Sequence, residues 1–168
     1  MPRSFDMATE YDGSVEQVLR AFGDERYWRA RLADSGADEA ILDTLTVDAD
    51  GGIDVVTTQV LRSDRLPGLV SQFHPGDLSI RREETWQPVR DGRTSGKVAG
   101  SIPGAPVSLT GTMALEPSGA GARLSVRTTV EVRVPLVGGK IENFIGSQLV
   151  DLLVAEQRFT TVWITENA

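Results

Sequence analysis

The 168-residue chain contains no cysteine and a single histidine, His74. Without cysteine there is no disulfide framework, no thiolate metal site and no cysteine nucleophile. With one imidazole, any serine–histidine triad or histidine-based zinc site has to be built around His74 alone. Lysine is nearly missing too, with only Lys97 and Lys140, and 24 acidic residues against 17 basic ones give a formal charge of −7. Such a surface suits neither nucleic acid nor an anionic membrane, so neither is an expected partner. No stretch of about 18 uncharged apolar residues occurs, so no integral membrane segment is expected. The opening MPRSFDMATEYDG lacks an apolar core of signal-peptide length, and the expectation is a cytoplasmic chain. The glycine pair in LVGGK lacks the spacing GxxxxGK[ST] of a phosphate loop, and no loop has a calcium-ligand pattern. No metal and no cofactor is expected.

What is present is periodic. RSFDMATEY (3–11) puts Phe5, Met7, Thr9 and Tyr11 on one side, the period of two that marks a strand. The period then becomes helical. Ser14 is placed to cap a helix carrying Val15, Val18, Leu19 and Phe22, with Gly23 ending it in the left-handed conformation. Asp24 is placed to cap a second helix with Tyr27, Trp28 and Leu32 on one stripe and Gly36 as its stop. From residue 40 the pattern is β: segments 40–50 and 53–62 joined by Asp50-Gly51-Gly52, then a proline-broken loop at 65–77. Strands follow at 78–89, at 97–117 (split by Pro-Gly-Ala-Pro at 103–106) and at 122–134. In the last of these Leu124, Val126, Thr128, Val130, Val132 and Val134 share a face, as in an antiparallel sheet packed on one side.

The chain ends in one long amphipathic segment. From Ile141 the residues Phe144, Ile145, Leu149, Leu152, Leu153, Phe159, Val162 and Trp163 fall on one helical face. Gln148 and Glu156 interrupt that face; they either reach solvent at its edges or project into a wet cavity. The whole therefore reads as one α+β domain over 1–168, ordered β-α-α-β-β-β-β-β-β-α. A strongly twisted antiparallel sheet of six or seven strands has one face to bury, and the terminal helix has one apolar stripe to cover it.

Strand 78–89 carries the most informative anomaly. Arg82 and Glu84 share parity with Leu78, Ile80 and Trp86, so a regular strand points both charges inward. A buried charge costs several kcal/mol unless paired. The alternatives are a mutual or cross-strand ion pair, a ligand, a solvated mouth, or a bulge that flips the register. His74, in QFHPGD, is an ordinary loop histidine or a general base. RYWRARL (26–32) reads as core plus a solvated face.

The element order, together with the junction RVPLVGGKIENFIGSQLVDLLVAEQRF (133–159), resembles the START-like, or polyketide cyclase/dehydrase and lipid-transport, superfamily (SRPBCC), and within it an actinobacterial subfamily of unassigned function. The resemblance covers essentially the whole chain and implies a helix-grip fold, in which the sheet wraps the terminal helix around an apolar cavity. It implies no particular chemistry and carries no catalytic residues. The leading expectation is a binding or carrier protein for a hydrophobic small molecule such as a lipid, polyketide or isoprenoid. Phe5, Met7, Ile80, Trp86, Met113, Phe144, Ile145 and Leu152 would line the cavity, with Arg82, Glu84 and Gln148 as its few polar contacts. The alternatives are a cyclase, dehydratase or hydrolase using the same cavity, and a protein-interaction module with a filled core.

Overall fold

The computed structural model describes residues 2–66, 68–71 and 76–167. Strand β1 (Arg3–Tyr11) is followed by helices α1 (Val15–Phe22) and α2 (Glu25–Asp34). Strands β2 (Glu39–Val47) and β3 (Ile53–Leu61) form a hairpin, and a short 3₁₀ turn and the four-residue α3 (Gly68–Ser71) lead to β4 (Leu78–Trp86). Strands β5 (Thr94–Ser101), β6 (Val107–Ser118) and β7 (Gly121–Val132) complete the meander before α4 (Gly138–Glu166). The seven strands form one curved antiparallel sheet in the order β1-β7-β6-β5-β4-β3-β2. The α+β architecture and element order are those expected from the periodicity. No helix among the described residues is long and apolar enough to cross a membrane.

Local chemistry sets the helix boundaries. Ser14 and Gln17 exchange hydrogen bonds in a capping box, at 3.2 and 2.8 Å, and Asp24 accepts from the Arg26 N–H at 2.8 Å. Gly23 does end α1, but with φ −90°, not in the left-handed region, because the next helix starts at once and the chain has no room to reverse. The terminal helix begins at Gly138, three residues earlier than the apolar stripe suggests. Glycines are required where backbones meet side chains. A Cβ at Gly96 would lie 2.9 Å from the ring of Trp86 across the ladder, and one at Gly146 would overlap the ring of Phe5.

Burial divides into two clusters on the concave side of the sheet. The larger joins α1 and α2 to β3–β7 through Phe22, Tyr27, Trp28, Trp86, Met113 and Leu115. Phe22 and Trp86 pack at 5.4 Å between ring centroids, and Tyr27 meets both Phe159 and Trp163 of α4 at 5.8 Å. The smaller joins the start of α4 to the ends of β6 and β7 through Ile141, Val130 and Val132, with Phe5 and Ile145 against it. Leu109 touches both clusters.

Candidate functional site

Helix α4 runs against β1 and β7 and reaches α1 and α2. It is held at its two ends. Gly138, Ile141, Glu142 and Gly146 are buried at one and Thr160 at the other, and no residue between Gly146 and Thr160 is buried. Leu152 lies on the inward stripe with Phe159, one helical repeat of seven away, yet remains 39% exposed. Across the middle of this 29-residue helix the contact with the core is made only by half-buried residues, Leu149 against the smaller cluster and Leu153 and Phe159 against the larger.

Beneath that middle lies a half-open void of about 80 Å³. Trp28, Leu32 and Phe159 give it apolar walls, Leu152 and Ala155 an outer rim, and Arg31, Thr57, Gln59, Arg82 and Glu156 its polar surface. A larger hollow of about 640 Å³ is wide open over β1, β6 and β7. Its exposed lining, Asp6, Ala8, Thr112, Ala114 and Arg127, has outward parity, so it is a depression on the outer face of the sheet.

The polar corner is built by three elements. β4 is regular from Leu78 to Trp86, so no bulge diverts Arg82 and Glu84, and both point inward. Arg82 makes an ion pair with Glu84 on its own strand and grips Glu156 of α4 with both terminal nitrogens, at 2.8 and 3.2 Å. Arg31 of α2 pairs with the same Glu156 carboxylate. The Arg31 guanidinium also lies 4.6 Å from the ring centroid of Trp28, a cation–π contact. It donates to the Tyr27 hydroxyl at 3.1 Å. Tyr27 is in turn 2.6 Å from the Thr160 hydroxyl, which donates to the Glu156 carbonyl at 2.7 Å. The quartet of Arg31, Arg82, Glu84 and Glu156 thus ties sheet, α2 and α4 together at a point where apolar packing is thin.

Its electrostatics follow from that geometry. Burial pushes the Glu156 carboxyl upward, but the charges of Arg31 and Arg82 outweigh it and hold the group at about 2. Burial opposes the charge on Arg31 and on Arg82, but the nearby Glu156 and Glu84 carboxylates, joined by the Tyr27 phenol for Arg31, together outweigh it and raise both. Desolvation raises the Tyr27 phenol. The two formal positive and two formal negative charges of the quartet cancel. The site can supply hydrogen bonds and a fixed field; neither Glu156 nor the arginines are poised to trade protons near neutrality.

The residues singled out from sequence separate into three groups. Arg82 and Glu84 meet in the polar corner, and Leu152 stands at its rim. Trp86 and Met113 are core residues, 2% and 6% exposed, and the Trp86 Nε1 has no hydrogen-bond partner among the described residues. Phe5, Ile145 and Met7 are half-buried against the two clusters; Phe144 and Ile80 are half-buried and belong to neither. Gln148 is exposed, so of the two polar residues in the helical face only Glu156 turns inward. Val162, assigned to the packed stripe from its spacing, is 53% exposed. His74 lies outside the described residues. Sequence reasoning missed Arg31, Thr160 and Glu142. Glu142 is fully buried, its Oε2 accepting the Val132 N–H at 2.9 Å and its Oε1 3.7 Å from Arg3, so it pins α4 to the last strand. The missed signal for Arg31 is helical spacing: it stands four residues after Tyr27 and three after Trp28, on their stripe.

Known proteins share this architecture. A protein of Thermus thermophilus superposes with a TM-score of 0.60 at 16% identity, covering 99% of both chains. Norcoclaurine synthase from Thalictrum flavum superposes with a TM-score of 0.61 at 16% identity, covering 99% of this chain and 88% of that one. At such identities the likeness is one of fold, the START-like arrangement of curved sheet and long terminal helix. In sequence, an uncharacterised protein of Mycobacterium tuberculosis is 53% identical over 99% of both chains. The chain belongs to the family described as "Protein of unknown function (DUF2505)", which it matches over residues 6–164.

Proposed function

We propose that this protein binds an apolar small molecule of the lipid, polyketide or isoprenoid kind beneath the middle of α4, as a carrier or sequestering protein. In this reading the family is a branch of the polyketide cyclase and lipid-transport superfamily. The observation that carries it is the absence of any buried residue between Gly146 and Thr160, over a void with apolar walls and one polar corner. Pockets that hold small molecules are of this composition, with a few placed polar groups in an apolar surround. The void of about 80 Å³ is smaller than the roughly 300–1,000 Å³ that such ligands occupy, so binding requires the helix middle to move outward between its clamped ends. Proton-transfer catalysis is the weaker reading at this corner, because Glu156 stays ionised and arginine does not release its proton.

A neutral apolar dye such as N-phenyl-1-naphthylamine should saturate at one site per chain. Leu152→Trp should fill the rim and abolish the fluorescence gain with little change in melting temperature, and Ala155→Trp, on the same rim, should weaken it. Unchanged titrations in both variants would put the binding site elsewhere.

A further inference from the structure

The polar corner restricts the kind of head group it can admit. Its two guanidiniums and two carboxylates are already paired with each other, Arg31 with Glu156 and Arg82 with both Glu84 and Glu156. An incoming carboxylate or phosphate therefore finds no uncommitted cation and meets two like charges. An incoming ammonium meets two guanidiniums. In a partly desolvated site such approaches are weakly screened.

The same void also exposes neutral hydrogen-bonding groups that no other described residue uses. Thr57 is 5% exposed and sits opposite Arg82 in the β3–β4 ladder. Gln59, two residues on and on the same face, lines the void with it. Neither side chain makes a hydrogen bond to another described residue. A hydroxyl and a primary amide each donate and accept, and Gln59 is only half-buried beside the half-open void, so both groups are open to water or to a ligand oxygen in its place. A void of about 80 Å³ has room for a few atoms at a ligand's end, or for about two or three waters in their place.

We propose that Thr57 and Gln59, set against the neutral quartet, receive the uncharged oxygen-bearing end, a hydroxyl or carbonyl, of an otherwise apolar ligand, and that the corner discriminates against acid- and amine-ended counterparts. The inference rests on the ligand-binding reading above and specifies its ligand. Arg82, the one inward arginine of β4, is on this account a wall of the site and not an anchor for a carboxylate.

The test is displacement of bound N-phenyl-1-naphthylamine at neutral pH by decanol, decanoate and decylamine, each below its aggregation limit. Decanol should displace the dye at a concentration about tenfold lower than either charged compound, the effect of one well-made hydrogen bond against a charge mismatch. Thr57→Val and Gln59→Leu should each weaken decanol about five- to tenfold and leave decanoate unchanged. Glu156→Gln releases a guanidinium and should move the preference toward decanoate; if that variant does not fold, the other two carry the test. Decanoate equal to or better than decanol in the wild type overturns the inference, as does undiminished decanol binding in both Thr57→Val and Gln59→Leu, or decanol that fails to displace bound dye. In those cases the dye still binds and the ligand-binding reading stands. A chain that takes up no dye at all overturns that reading, and the inference with it.

Discussion

Replacing Glu156 by alanine should lower the unfolding free energy by about 3–5 kcal/mol in urea denaturation, because it strands the buried Arg31 guanidinium without its carboxylate and leaves the half-buried Arg82 with Glu84 alone. The exposed pair Arg29–Glu25 is the matched control: Glu25→Ala should cost less than about 1 kcal/mol. The same carboxylate gives the protein an acid limb. Its folded value of about 2 lies below the ordinary 4.5, so the stability it confers is fully present above pH 4.5 and is lost as pH falls from there toward 2. Glu156→Gln should flatten that limb. Equal costs for Glu156→Ala and Glu25→Ala, or an acid limb of the same depth in Glu156→Gln, would mean that the quartet is not holding α4 to the sheet.

Removal of residues 138–166 should have a still larger effect. It takes away the Tyr27 contacts of Phe159 and Trp163, exposes the smaller core cluster under Ile141, and leaves Arg31 without its carboxylate partner and Arg82 with Glu84 alone. The expected product is insoluble or molten, with strand circular dichroism but no cooperative thermal transition and strong dye binding without a defined stoichiometry. A truncated chain that melts cooperatively near the parent temperature would show that the sheet and α1–α2 form a core of their own.

How much of this could be read beforehand depends on the kind of signal. The strands announce themselves by parity: in β7 Leu124, Val126, Thr128, Val130 and Val132 are all buried, as their alternation requires. The inward aim of Arg82 and Glu84 follows from the same rule once β4 proves regular. What parity cannot supply is the partner. Glu156 lies 74 residues from Arg82, and only the path of α4 across the sheet brings them together. Arg31 was obscured by its neighbours, since Arg26 and Arg29 on the same helix are solvent-exposed and paired with Asp24 and Glu25. The exposure of Val162 and Leu152 shows the opposite failure. A helical wheel assigns a face from hydrophobicity alone, whereas burial also depends on whether anything lies beneath that turn.

An apolar molecule held under the middle of α4, as proposed above, would add its mass to that of the chain. The most direct measurement is native mass spectrometry of the protein purified from its own cells without detergent. The expected result is a one-to-one adduct of small-molecule mass that is released on denaturation, extracts into organic solvent and is replaced stoichiometrically by N-phenyl-1-naphthylamine. A bare chain mass, together with no saturable uptake of the dye, would contradict it.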